Sequence, residues 1–187
     1  MTSHKKIRRG AILSCIDQAL KFGFSHAGEL DCSTLAFLPE VREMCASGKC
    51  GKYDRCWTCP PACGTVEECA QRAGRYRLGL IVQTTGQLSD SFDYDGMMSL
   101  KKRHQDTFLK FVQYLQESFP NLLALGAGGC AVCESCTYPD SPCRHPSKAV
   151  SSMEAYGLLV SELCKKNGIP YYYGQGSMTF IGCYLLA

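Results

Sequence analysis

No stretch of this 187-residue chain is long and apolar enough to suggest a membrane span. A span needs roughly 18–20 continuous apolar residues, and the uncharged segments 121–133 and 174–187 are either broken by glycines or polar at their start. Charge of one sign is also scarce. Twenty Lys and Arg stand against 17 Asp and Glu, a net charge of +3. The basic residues are dispersed over Lys5, Lys6, Arg8 and Arg9, then Lys101–Arg103, then Lys165 and Lys166, which is not the concentrated stripe of a nucleic-acid binder. Paired catalytic carboxylates, a nucleophile elbow, a P-loop and a G-x-G-x-x-G turn are all missing, and Gly126-Ala-Gly-Gly129 reads as a plain turn. The N-terminus is basic and leads into an amphipathic pattern, not an apolar signal core, so a cytoplasmic protein is expected, acting without membrane or nucleic acid.

What the chain has in excess is cysteine: 14 residues. An apolar share of 45% and a charged share of 20% describe a folded domain able to bury a core without covalent staples. In a reducing compartment such thiols point to metal ligation ahead of disulfides.

The rest of the chain alternates helix and strand. Ile12, Cys15, Ile16, Ala19 and Leu20 recur at helical spacing before Gly23. Residues 24–30 suit a short strand, and Thr65-Val-Glu-Glu68 is a capping box opening a helix over 66–73. Residues 78–84 read as a buried strand. Phe108, Phe111, Val112, Leu115 and Phe119 mark a helix over 98–119, and 121–125 a second strand. A second capping box, Ser151-Ser-Met-Glu154, predicts one helix to Gly168 with Met153, Tyr156, Leu159, Val160, Leu163 and Cys164 on its apolar face, and strands follow at 170–173 and 178–186. The expected architecture is a single α/β domain over 1–187 with two cysteine-rich cluster-binding loops, 45–69 and 130–146. The tyrosine run Tyr171–Tyr173 is attributed to β-propensity. Cys15, Cys164 and Cys183 fall on apolar faces and are expected to be packing residues.

The second cysteine group, Cys130-x2-Cys133-x2-Cys136-x6-Cys143, places three thiols two residues apart with a fourth close behind. A tight loop of that spacing wraps three corners of a cubane iron-sulfur cluster and lets the fourth thiol close it. Zinc, the alternative, prefers two separated C-x2-C pairs. Arg144 and His145 are candidate groups around the sulfurs. The first group holds six cysteines, Cys45, Cys50, Cys56, Cys59, Cys63 and Cys69, and spacing alone does not choose four of them. Gly48, Gly51, Pro60, Pro61 and Gly64 supply the turns a metal loop needs.

Arg42-Glu-Met-Cys45, Cys50-Gly-Lys-Tyr53, Trp57-Thr-Cys59-Pro-Pro61, Cys143-Arg-His-Pro146 and Ser152-Met-Glu-Ala155-Tyr-Gly157 together resemble a family of small prokaryotic proteins described as predicted metal-binding, over roughly residues 24–187. The resemblance implies iron-sulfur binding. It favours Cys45, Cys50 and Cys59 in the first site, with Cys63 as fourth because it follows the Cys-Pro-Pro turn. It also implies a glycine after Tyr53, where this chain has Asp54.

The expected function is therefore electron transfer through two 4Fe-4S clusters, held by Cys45, Cys50, Cys59 and Cys63 and by Cys130, Cys133, Cys136 and Cys143, with a redox partner protein. The alternatives are a zinc-stabilised binding module, and a cluster-dependent reductase or activator with an open iron, for instance one serving a corrinoid. Cys32, Cys56 and Cys69 have no role assigned.

Overall fold

A computed structural model describes residues 3–187; Met1 and Thr2, and with them the very start of the basic N-terminal segment, lie outside the described residues, as do the side chains of 3–9. The chain runs α1 (Ser3–Phe22), β1 (His26–Asp31), α2 (Pro39–Ala46), α3 (Val66–Ala73), β2 (Leu78–Gln87), α4 (Tyr94–Ser118), β3 (Leu123–Gly126), β4 (Ser151–Ser152), α5 (Val160–Lys166) and β5 (Ser177–Leu186). Five strands form one sheet in the order β1-β2-β5-β3-β4. The long pair at its centre, β2 with β5, runs antiparallel from Leu78↔Leu186 to Gln87↔Ser177. β3 also lies antiparallel to β5, so β2 and β3 point the same way, and α4 carries the chain between them across the strand inserted last.

Alternation along the central strands divides the core. Leu80, Val82, Tyr184 and Leu186 face α1 and α4, packing with Ile12, Ala19, Phe108, Phe111 and Leu115. Ile81, Ile181, Cys183 and Leu185 face the other way, towards Cys69 and Ala73 of α3 and Leu163 and Cys164 of α5. A strand with both faces covered is apolar throughout, which is why 78–84 reads as a continuous run. The result is a mixed α/β domain with helices on both sides of the sheet, and no described helix is long and apolar enough to cross a membrane.

Local chemistry accounts for most boundaries. α1 ends at Gly23, φ +108°, with Phe24 N–H returning to Ala19 O. Thr65 caps α3 with both halves of the capping box formed, to Glu68 and back. Three expectations need correction, and one helix had no counterpart in the sequence reading. Leu20 is exposed, because the buried face of α1 is narrower and runs through Ile12, Cys15 and Ala19. The approach to the first cysteine group is a helix, α2, started by Pro39 at its first turn, and Cys45 sits on it. The single helix expected over 151–168 is broken. Glu154–Tyr156 form a 3-10 turn, Gly157 takes φ +82°, and α5 begins only at Val160. A side chain at Gly157 would meet Leu38 O at 3.0 Å, so this glycine answers a close backbone approach as well as a left-handed turn. The shift of register buries Leu158 and exposes Leu159. Last, residues 170–173 are not a strand. Tyr173 stacks on His26 at 4.3 Å, while Tyr171 and Tyr172 are exposed.

Candidate metal centre

The two cysteine groups occupy irregular segments, 47–65 between α2 and α3 and 127–150 between β3 and β4. Polar contacts fasten one segment to the other. Trp57 Nε1–H donates to Ser141 O at 3.1 Å, and its ring meets Tyr138 edge-on at 4.9 Å. The Tyr138 hydroxyl donates to Asp54 Oδ1 at 2.7 Å. Asp54 stands at φ +52°, the one non-glycine in the left-handed region among the described residues, which is the conformation that the glycine implied by the resemblance would adopt freely. Here the carboxylate's bond to Tyr138 and a 2.7 Å bond from Asp54 N–H to Pro60 O hold the turn instead.

A small cavity at this junction is lined by all four cysteines of the second group, Cys130, Cys133, Cys136 and Cys143, and by Cys56 of the first. The four are each half-buried and Cys56 is buried. Arg144 and His145 border the same cavity, and Arg144 Nη1 donates to Ser135 O at 2.9 Å, tying the loop's end to its middle. Burial raises the Cys130 thiol, with neighbouring Cys56, Cys143 and Cys133 adding to it. At Cys136 desolvation pushes up but is outweighed by N–H groups of Trp57, Tyr138 and Thr137 and by the Cys56 thiol, so that sulfur is held below the ordinary thiol range.

A larger cavity of about 490 Å³ lies on the other side of Lys52, which borders both. Cys45, Cys50 and Cys59 line it, together with Lys49 and Glu154. α2 brings Cys45, the turn after it brings Cys50 at the exposed rim, and buried Cys59 lies deepest. Burial pushes Cys59 up to about 12, helped by Cys56, and raises Cys45, helped by Cys50 and Glu154 against Arg42. Thiols held protonated in this way release protons when a metal takes them, so loading at both cavities is favoured by rising pH.

Cys63 lies one turn beyond Cys59, its N–H donating to Cys59 O at 3.0 Å, but its sulfur is directed at Ala155 O, 3.6 Å away, and does not line the larger cavity. It belongs to a buried group with Cys69. Arg72 Nη2 stands 3.2 Å from the Cys69 sulfur and also donates to Cys63 O. Arg42 Nη1 stands 3.9 Å from that sulfur while donating at 2.8 Å to Ala155 O, and its Nη2 donates at 2.8 Å to Gly64 O. The Cys63 thiol and the two guanidinium groups hold Cys69 down to about 6 against its burial, while the hydrogen bond with Cys69 and burial drive Cys63 up against Arg42. Arg42 thereby joins α2, the Cys59–Gly64 turn and the 3-10 turn at Glu154.

Cys15, Cys164 and Cys183 are buried packing residues, as expected, and Cys32 joins them in the core, burial carrying its thiol up to about 12. Cys56 was the feature that spacing concealed. With Trp57 and Thr58 it lines the cavity of the second group, whereas Cys59, three residues on, lines the larger one, a partition only the fold reveals. The capping-box spacing predicts a helix-cap role for Glu154. Ser152 Oγ instead accepts from Ala155 N–H at 3.0 Å, leaving the Glu154 side chain at the larger cavity.

Soft thiolates in groups of three and four suit iron-sulfur clusters, zinc or copper(I) and do not suit hard cations. Among the described residues no three Cys, His, Asp or Glu side chains converge closely enough to hold a single metal ion; the thiols stand around cavities. Residues 28–186 match the model of a family described as "Predicted metal-binding protein (DUF2284)". Neither a curated protein nor a solved structure matches the chain.

Proposed function

The chain belongs to this family of predicted metal-binding proteins, and from that premise we propose that it holds two 4Fe-4S clusters and passes single electrons between them and a redox partner protein. The observation that carries the reading is the adjacency of the two thiol-lined cavities, which share Lys52 on their walls, with Cys56 and Cys59 on either side of the same turn. Centres so placed form a short path for electrons. Thiols distributed around a cavity also suit a cluster, whose corners are separated, better than one ion, which draws its ligands to a point.

In this reading Cys130, Cys133, Cys136 and Cys143 hold the second cluster, and the first takes Cys45, Cys50 and Cys59, with Cys63 the fourth thiol expected from the sequence. A bound cluster supplies one-electron storage. The chain's residues do the rest. The N–H groups of Trp57, Tyr138 and Thr137 and the Cys56 thiol favour the thiolate at Cys136, and donors around a ligand sulfur tune a cluster's reduction potential. Lys52, Arg144 and Lys49 offset the negative charge of the thiolates. Trp57, packed on Tyr138, screens the junction from water. All fourteen thiols are free, in keeping with the reducing cytoplasm such clusters need.

The 490 Å³ cavity beside Cys45, Cys50 and Cys59 favours one second reading: a reductase or activator in which the first cluster serves a bound molecule. Dithionite reduction followed by EPR tests the main one. Two paramagnetic clusters with spin coupling between them are expected, and Cys136→Ser should leave one uncoupled signal. An EPR-silent protein carrying stoichiometric zinc contradicts it.

A further inference from the structure

The first site has three thiols on its cavity and a fourth, Cys63, whose sulfur is turned elsewhere. We propose that the fourth position belongs to the carboxylate of Glu154. This rests on the reading of the first site as a cluster site and adds its missing ligand.

Three observations converge. Glu154 lines the same cavity as Cys45, Cys50 and Cys59. Its carboxylate has no hydrogen-bond or ion-pair partner among the described residues, although the side chain is only half-exposed. Its backbone is fixed against the helix that carries Cys45: the Cys45 sulfur lies 3.9 Å from Glu154 O, Arg42 of that helix binds Ala155 O, and Leu38 N–H donates to Gly157 O at 2.8 Å. The 3-10 turn that replaces a continuous helix here is what presents Glu154 to the cavity. Cys63, by contrast, is retained by Ala155 O and by the Cys69 group with its two arginines.

A carboxylate is a harder and more weakly held ligand for cluster iron than a thiolate. An iron held by Glu154 would therefore be the exchangeable corner. Lys49 and Lys52 on the same wall favour an anionic incoming donor, so the ligand class is a small organic carboxylate or thiolate that displaces Glu154.

The experiment uses the full chain, reconstituted anaerobically with iron and sulfide, and three variants: Cys63→Ser, Glu154→Gln and Glu154→Cys. Ferricyanide takes one electron from an oxidised 4Fe-4S cluster with a weakly held corner and releases that iron as Fe2+, leaving a three-iron cluster with its own EPR signal. The wild type and Cys63→Ser should both bind about eight iron and lose about one to ferricyanide. Glu154→Gln should lose that iron without oxidant while keeping the second cluster. Glu154→Cys should restore it and resist ferricyanide. Loss of the first cluster in Cys63→Ser, with Glu154→Gln unchanged, overturns the assignment while leaving two clusters standing. Should Glu154→Gln lose both clusters, the failure of Glu154→Cys to rescue the first would also overturn it. A wild type without iron and sulfide would refute the cluster reading itself.

Discussion

His104 gives the most quantitative prediction, and it does not depend on which metal is bound. The ring is 1% exposed, enclosed by Phe24, Phe108 and Phe180 at 5.8–6.0 Å, and its Nε2 has no partner. Only Nδ1 is satisfied, by Thr84 Oγ1 at 2.9 Å. Burial lowers its pKa from the ordinary 6.5 to about 4. The folded chain thus refuses a proton that the unfolded chain accepts between those values. Stability from this group is complete above pH 6.5 and is lost as pH falls towards 4. The total is about 3 kcal/mol, of which about 2 kcal/mol disappears between pH 7 and pH 5. His104→Gln keeps a partner for Thr84 and removes the titration. Anaerobic urea denaturation of both proteins at the two pH values isolates the effect, because acid effects on other groups cancel in the difference. The wild type should lose about 2 kcal/mol more than the variant. Equal losses in the two proteins would refute the argument.

Other substitutions probe the site and its scaffold. Arg42→Ala leaves Ala155 O and Gly64 O without their donor; it should cost about 3 kcal/mol by urea titration and release first-site metal while the second site stays loaded. Asp54→Ala keeps the left-handed backbone and loses the Tyr138 bond, a destabilisation of about 1–2 kcal/mol in the same assay, whereas Asp54→Asn should stay within about 0.5 kcal/mol. Cys183→Ser puts a hydroxyl in the fully buried centre of β5. It should lower stability by about 2 kcal/mol yet leave metal content unchanged, since this thiol is packing and not a ligand.

Much of the scaffold was legible because its signals are local. The Thr65 box, Gly23 and the apolar run of β2 each encode their structure within a few residues. Reading failed where a distant backbone decides. Gly157 breaks the helix because Leu38 lies against it, and β-propensity at Tyr171–Tyr173 yields to the contacts that Tyr173 makes with His26 and Gln83. At the site, both cysteine groups are plain in the sequence, and their division is not. Cys56 crosses to a cavity formed by residues more than seventy positions away, Cys63 turns to Cys69, and Glu154 changes from helix cap to cavity wall. None of these has a spacing signature, since each depends on how segment 47–65 folds against segments 127–150 and 152–157.

Whether the two cysteine groups hold two iron-sulfur clusters is decided by iron, sulfide and zinc analysis of the full chain purified without oxygen. The protein should be brown and carry about eight iron and about eight acid-labile sulfide per chain. A colourless chain with stoichiometric zinc and no sulfide would contradict it.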